Sequence, residues 1–200
     1  MASSILILSN SDSGLYDFRK EVLKALMEKG FHVLVSVPDT GYVERIKALG
    51  CEYIPTAFER RGMNPFKDMK LLLFYRRLIK THSPAAVLTY TIKPNIYGGL
   101  AARLTGTPYL VNVTGLGTTL EHGGVLQKMI VLMYRTALKK ASCVFFQNQG
   151  NRDFLVLVKI WPLLHTAVYQ NVLSAGLNKV AATCHFVVRS YKSKLHTRIP

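Results

Sequence analysis

The stretch ILILSNSDSGLYDFRKEVLKALMEKGFHVLVSVP, residues 5–38, decides the fold. ILILSN (5–10) is a short apolar run typical of a buried strand, and HVLVSVP (32–38) is a second one. Between them, LYDFRKEVLKALMEKG (15–30) has apolar residues at helical spacing and ends at Gly30, a common helix C-terminus. The order strand, helix, strand predicts a βαβ unit, and therefore two parallel strands.

The same alternation continues along the chain to about residue 150. Further strands are predicted at 52–58, 85–91, 109–115 and 143–148, and further helices at 42–50, 65–82, 94–106 and 125–141. Six strands with helical crossovers predict an α/β fold, a Rossmann-like parallel sheet with helices on both faces. Right-handed crossovers bring the loops after the strands together at the carboxyl edge of the sheet, where ligands bind.

Charge divides the chain into two unequal parts. All eleven acidic residues lie between Asp12 and Asp153, and residues 154–200 contain none. The regular alternation also ends there, so we expect one domain at 4–153 followed by an atypical, irregular basic tail at 154–200. Two interpretations of the tail stand open. It is either a partly disordered segment that contacts membrane or RNA, or the product of a frameshift.

Composition excludes several classes of protein. The net charge of +15 favours anionic partners. However, no helix-turn-helix, RNP or zinc pattern is present, so no nucleic-acid partner is expected. The three cysteines lack metal-binding or redox spacing, and no metal site is predicted. Neither a signal peptide nor an apolar run long enough to span a membrane is recognisable, which predicts a cytoplasmic protein.

Two glycine-containing loops are candidates for phosphate binding. VNVTGLGTTLEHGG (111–124) lacks the third glycine of a dinucleotide fingerprint, because Leu120 stands there. Gly14 follows the first strand and begins a helix, where free N–H groups can hold phosphate. The alternative is an ordinary helix start with Asp12 or Ser13 as N-cap.

Other loop residues have candidate roles beside ordinary ones. Lys93 and Asn95 flank a proline at the start of a helix, a place usable for an anion. Glu121 and His122 are each a candidate general base, although a lone loop residue of either type often has no such role.

A basic region precedes and includes the helix at 65–82. Arg60 and Arg61 stand before it, and its lysines and arginines surround LLLF (71–74). This pattern suits an anionic membrane surface into which the LLLF face dips. The ordinary interpretation is a solvated basic helix face.

Several motifs in fixed order, spanning about residues 4–155, resemble a known family. They are GLYDFRKEVLKAL, NPFKD, TYTIKPNIYGGLAAR, NVTGLGT and CVFFQNQGNRDF. Together they resemble the N-terminal, acceptor-side half of bacterial family 4 glycosyltransferases. The likeness is closest to those that extend undecaprenyl-diphosphate-linked sugars for capsule, exopolysaccharide or protein glycosylation. The family has the GT-B fold, two Rossmann-like domains that face each other across a cleft.

The resemblance implies transfer of a sugar, with retention, from a UDP-sugar-like donor substrate to a lipid-linked acceptor, without a cofactor or an obligatory metal. It also implies a location at the inner face of the cytoplasmic membrane. The residues it implicates near the donor phosphates and the cleft are Ser13, Gly14, Lys93, Asn95, Thr114, Gly115, Gly117 and Thr118. Glu121 and His122 are the catalytic candidates, and Tyr16, Arg19, Arg60 and Arg61 would face the acceptor or the membrane.

The chain departs from the family pattern in two places. Ser13-Gly14 replaces two adjacent glycines, and residues 154–200 contain no glutamate for the paired-glutamate motif of the donor-binding domain. We therefore expect this chain to be inactive alone. The alternative is a non-catalytic acceptor-binding subunit that recruits a donor-binding domain in trans, with FLVLVKIW (154–161) or the apolar side of helix 125–141 facing the partner.

Overall fold

A computed structural model of the chain describes residues 3–56, 64–115, 124–157, 166–168 and 183. The strands are β1 (Ser4–Leu8), β2 (His32–Val37), β3 (Glu52–Pro55), β4 (Ala86–Tyr90), β5 (Tyr109–Val113), β6 (Cys143–Phe146) and β7 (Thr166–Val168). The helices are α1 (Asp12–Glu28), α2 (Val43–Ala48), α3 (Pro65–His82), α4 (Gly99–Thr105), α5 (Gly124–Leu138) and α6 (Gln149–Leu157).

The strands form one sheet in the order β3-β2-β1-β4-β5-β6-β7, and every neighbouring pair is parallel. The predicted α/β fold with a parallel sheet is confirmed. The chain moves outward from β1 to β3 and then returns to the other side of β1 for β4. The junction between β1 and β4 is therefore the place where the strand order reverses.

Helices cover both faces because successive strand residues point to opposite sides. On β1, Ile5 and Ile7 join a core with α1 and α2, whereas Leu6 and Leu8 join a second core with α3, α4 and α5. Both faces of the central strand are thus apolar and fully buried. This double burial explains why its sequence is a continuous apolar run rather than an alternation.

Helix α3 has the bounds that the sequence predicts, because both of its ends carry local signals. Asn64 caps the start by accepting hydrogen bonds from the backbone N–H groups of Phe66 and Lys67. Pro65 occupies the first turn, where its missing N–H costs nothing. Ser83 ends the helix in the left-handed conformation, with φ of 43°.

The helix predicted at 94–106 divides into a π-helical turn, Pro94–Gly98, and α4. Gly98 lies against the sheet, where an added Cβ would approach Leu8 Cδ1 to 2.7 Å and Thr89 Cγ2 to 3.1 Å. A side chain at this position would collide with β1 and β4. The glycine therefore sets how closely this segment packs on the central strands.

Regular structure extends further than expected. Helix α6 crosses the expected boundary at residue 153, and β7 lies within the segment predicted to be irregular. Thr166–Val168 pairs with Val144–Phe146, which makes seven strands among the described residues instead of the predicted six. A three-residue strand is too short to produce a periodic pattern, so its formation depends on the exposed edge of β6.

Candidate functional site

A cleft of about 310 Å³ lies at the carboxyl edge of the sheet, where the strand order reverses between β1 and β4. Open parallel sheets bind ligands at this position because the loops on either side diverge. The residues that line it are Ser9, Ser11, Gly14, Leu15, Phe18, Arg19, Tyr90, Thr91, Thr114 and Gln147.

The loop between β1 and α1 forms one wall of the cleft. Ser11, rather than the predicted Asp12 or Ser13, is the N-cap of α1, and its Oγ accepts the Gly14 N–H at 3.0 Å. The Ser13 N–H donates to the Asp12 carboxylate at 2.7 Å. These two N–H groups already have protein acceptors, and the role of Ser13 and Gly14 at a donor diphosphate stays a prediction.

Asp12 ties this loop to the loop after β2. Its carboxylate is buried and accepts the backbone N–H groups of Thr40 at 2.7 Å and Tyr42 at 3.1 Å, as well as the Thr40 hydroxyl. Burial by itself would raise the pKa of Asp12, but the hydrogen bonds from Thr40, Tyr42 and Ser13 outweigh it, and the pKa is lowered. Asp12 therefore has a structural role, as a charged brace between two loops of the carboxyl edge.

Arg19 projects from α1 into the cleft and is only 7% exposed. Its guanidinium lies over the Tyr90 ring at 5.5 Å, and Nη1 donates to the Phe18 carbonyl at 2.9 Å. The Gln147 side-chain amide is oriented so that its oxygen and its nitrogen are both hydrogen-bonded. The oxygen accepts from Arg19 Nη2 and the nitrogen donates to the Thr114 carbonyl. Burial lowers the pKa of Arg19, yet a guanidinium remains charged at neutral pH.

Thr91 follows β4 in a conformation that β-branched residues seldom adopt, with φ of 70°. Its Oγ1 accepts the Asn10 N–H at 3.3 Å, which joins the ends of β1 and β4 across the cleft. Backbone strain of this kind persists only where the surrounding structure enforces it, and it is concentrated at functional sites.

Thr114 and Gly115 follow β5, at the same edge. Thr114 lines the cleft, and an added Cβ on Gly115 would meet no atom within 4 Å. The backbone at Gly115 thus faces open space. The contact of both residues with reacting sugars stays a prediction.

Lys93 and Asn95 do not line this cleft, and their predicted place along the cleft between the two domains of a GT-B fold stays a prediction. Lys93 donates to Asp68 of α3 at 2.9 Å, and both side chains are largely buried. Asn95 is 1% exposed, accepts the Thr89 hydroxyl and donates to the Asn112 carbonyl at 2.8 Å. Both residues join neighbouring elements, and their polar groups are engaged inside the protein.

Tyr16 is on the α2 side of α1. Its ring is 6.1 Å from that of Tyr42, and the cationic groups of Lys20 and Arg45 lie over it at 5.4 and 5.9 Å. Tyr16 is therefore not part of the cleft that Arg19 enters, and its predicted contact with acceptor or membrane remains open.

Six predicted site residues fall outside the described residues: Arg60, Arg61, Gly117, Thr118, Glu121 and His122. Conversely, sequence analysis missed Ser9, Ser11, Phe18, Tyr90, Thr91 and Gln147 as cleft residues. Most of these stand at or just beyond the carboxyl end of a strand. Taking the ends of β1, β4 and β6 and the residues directly after them as one set would have identified Ser9, Tyr90, Thr91 and Gln147, but not Phe18, which lies on α1.

The exposed apolar surface of α3 differs from the one expected. Within LLLF (71–74), Leu71 is buried and Phe74 packs against the core. Leu73 is exposed, and it continues a helical stripe that begins with Phe66 and Met69. The spacing of i, i+3 and i+7 places these three on one side of the helix.

A second stripe runs along α5, formed by Val125, Met129 and Leu132. The α3 stripe occupies the first half of its helix and the α5 stripe lies within the first nine residues of its helix, and both helices begin at the carboxyl edge of the sheet. The two stripes therefore lie toward the end of the molecule that holds the cleft. Leu104, also exposed, stands at the opposite end because it lies in the last turn of α4.

Two other kinds of feature, a metal site and a membrane-spanning helix, are absent from the described part of the chain. There, no three histidine, cysteine or acidic residues come together as a metal site, and no helix is long and apolar enough to cross a membrane. Cys51 and Cys143 are buried, which raises the pKa of each thiol to about 11. Protonated, enclosed thiols are poor nucleophiles, in agreement with a packing role.

A family model described as "Glycosyl transferase 4-like" matches residues 4–148. The chain belongs to this family. Among curated relatives, a Campylobacter jejuni N,N'-diacetylbacillosaminyl-diphospho-undecaprenol alpha-1,3-N-acetylgalactosaminyltransferase is 29% identical over 153 residues. The match covers 74% of this glycosyl transferase 4-like chain but only 41% of the relative.

Solved structures agree on the fold. Acinetobacter baumannii MurG matches with a TM-score of 0.57 and 20% identity, covering 84% of this chain and 45% of that protein. Anabaena Alr3699/HepE, crystallised with UDP and glucose, matches with a TM-score of 0.59 and 16% identity. The match covers 84% of this chain and 44% of that protein. The chain thus spans less than half the length of each of these proteins.

Proposed function

We propose that this chain is the acceptor-side part of a glycosyltransferase. The enzyme transfers a sugar from a nucleotide-sugar, of UDP type, to a sugar carried on an undecaprenyl-diphosphate-type lipid. The observation that carries the proposal is the cleft at the β1–β4 junction with the buried cation Arg19 inside it. Family membership, the name of the C. jejuni relative and the UDP complex of the Anabaena protein support the reaction class and the donor.

In this proposal, the described residues bind and orient the acceptor, and the nucleotide-sugar is a substrate rather than a cofactor. The strand-end residues fix the cleft floor, since Thr91 is bonded to the β1 loop and Gln147 to Thr114. Glu121 and His122 remain candidates for a general base. The donor requires a second domain, either from the same enzyme or in trans.

We further propose that the protein works at the inner face of the cytoplasmic membrane. The stripes on α3 and α5 offer apolar side chains beside the basic residues of both helices, a combination that binds anionic interfaces. Since both stripes lie toward the cleft end, a protein docked through them would hold the cleft close to lipid headgroups.

The alternative is a non-catalytic subunit that recruits the acceptor and docks a separate donor-binding chain. The stripe on α5 would then contact that protein rather than lipid. Its exposed Val125, Met129 and Leu132 are the observation that favours this second function.

A reconstitution assay tests the reaction. We expect the 200-residue chain alone to give no transfer from UDP-N-acetylhexosamine to a short polyprenyl-diphosphate-linked sugar. Addition of a donor-binding half from a family member should restore product detectable by mass spectrometry. Transfer by the chain alone would refute the acceptor-only role, and absence of product with every donor half and donor nucleotide would refute the proposed reaction.

Vesicle binding tests the apolar stripe. Changing Phe66 and Leu73 together to serine should weaken co-sedimentation with phosphatidylglycerol vesicles about tenfold, because both exposed side chains would lose their apolar contact with lipid. Leu104→Ser is the matched control, exposed but at the other end of the molecule, and should change binding less than twofold. Equal effects of the two changes would contradict docking through α3.

A further inference from the structure

The cleft contains a buried positive charge that no carboxylate neutralises among the described residues. Arg19 is 7% exposed, and its partners among the described residues are neutral: the Phe18 carbonyl, the Tyr90 ring and the Gln147 amide. A buried cation is normally paired, since desolvation without a counter-charge is costly. The position where a counter-charge would be expected is occupied by Gln147, the uncharged isostere of glutamate.

Three hydroxyl groups that line the cleft, those of Ser9, Ser11 and Thr91, are already engaged in the protein's own hydrogen bonds. Ser9 Oγ donates to the Ser11 carbonyl and accepts the Ser11 N–H. Ser11 Oγ accepts the Gly14 N–H, and Thr91 Oγ1 donates to the Tyr90 carbonyl. Arg19 uses two of the five N–H donors of its guanidinium for the Phe18 carbonyl and the Gln147 amide oxygen. The cleft therefore offers an incoming ligand mainly charge-assisted donors from Arg19.

We propose that Arg19 binds a phosphoryl oxygen of a diphosphate ester, namely the diphosphate of the lipid-linked acceptor, and that Gln147 is the residue that keeps Arg19 available for it. The proposal rests on the proposed function and adds the group of the acceptor that this cleft holds. A phosphoryl group supplies the missing negative charge, and its oxygens match the planar donors of a guanidinium.

The apolar lining favours the acceptor over the donor as the source of the diphosphate. Phe18 lines the same cleft and is 70% exposed, so a large apolar side chain stands next to the buried cation. A polyprenyl diphosphate presents an apolar chain directly beside its phosphates, which matches this arrangement. The diphosphate of a nucleotide carries the same charge, and the experiment separates the two.

The test uses the 200-residue chain and measures binding by calorimetry, with farnesyl diphosphate and UDP as separate probes. Gln147→Glu places a carboxylate against Arg19 with little change of shape and should weaken farnesyl diphosphate binding about tenfold or more. The melting temperature of Gln147→Glu should equal or exceed that of the wild type, which shows that the loss is not unfolding.

Each outcome of the calorimetry either supports or overturns the proposal. Equal binding by Gln147→Glu and wild type, or no farnesyl diphosphate binding by the wild type, overturns the proposal. Sensitivity of UDP binding alone assigns Arg19 to the donor and overturns the acceptor assignment. Arg103→Met removes a cation that lies outside the cleft, bonded to the Thr136 carbonyl, and the proposal requires it to leave binding unchanged. These measurements need no turnover, so a failure of the reconstituted transfer reaction would refute the proposed function without affecting them.

Discussion

Replacing Lys93 with methionine is expected to lower the free energy of unfolding by about 3–4 kcal/mol. Lys93 pairs with Asp68 at 2.9 Å, and the two side chains are 17% and 8% exposed. The Tyr97 hydroxyl also hydrogen-bonds Asp68. Without Lys93, the Asp68 carboxylate would remain enclosed with only that hydroxyl as partner. Denaturant titration at neutral pH measures the change.

Lys47→Met is the matched control for this prediction. Lys47 pairs with Glu44 at a similar distance, 2.8 Å, but on the open surface of α2. Exposed pairs contribute little, so its loss should cost less than about 1 kcal/mol. Changing Asp68 to asparagine in the Lys93→Met protein should restore much of the stability, because no buried charge then remains. Equal costs at the two lysines would contradict the buried-pair interpretation.

Asp12→Ala is expected to cost about 3 kcal/mol, the second large effect. The backbone N–H groups of Thr40 and Tyr42 would both lose the buried Asp12 carboxylate as acceptor, and the loop after β2 would lose its attachment to α1. Asp39→Ala, in the same loop, removes an exposed carboxylate bonded to the Gly41 N–H and should cost less than about 1 kcal/mol. Thermal and denaturant unfolding of the two variants give the comparison.

Asp12 also makes stability depend on pH in a defined direction. Its pKa is lowered in the folded protein from the ordinary value of 3.8, so its contribution is present above that pH and disappears as the pH falls through the folded pKa. Asp12→Asn lacks this contribution. The stability difference between wild type and Asp12→Asn should be constant near neutral pH and shrink below about pH 4. A difference that grew in acid would contradict the assignment.

Local signals account for the parts of the fold that the sequence predicted well. Asn64-Pro65 starts α3 and a left-handed residue ends it, and both signals act within a few residues. The start of α1 was predicted three residues too late, because Ser11, Asp12 and Ser13 are all plausible caps when considered alone. The Asp12 carboxylate is instead engaged by Thr40, far along the chain, and this contact has no signature in the sequence around α1.

The candidate site was predicted less well, since tertiary partners decide which polar residues remain available. Lys93 and Asn95 had the right chemistry and the right sheet edge, but Asp68 and Asn112 engage them. Gln147 was not predicted, because a single amide at a strand end forms no distinctive sequence pattern. Its importance comes from its position beside Arg19, and that proximity across the sheet edge carries no signature in either local sequence.

The central place of β1 has a consequence for how the protein is made. Ile5 pairs with Val33 on one side and with Ala86 on the other, so the first strand gains its second neighbour only after β4 has been synthesised. Until then, a nascent β1–β2–β3 half exposes an apolar strand edge, a species prone to mispairing on the ribosome. The cleft also needs β4, so it forms only when this edge is covered. A ligand bound in the cleft would therefore stabilise completed chains and not incomplete ones.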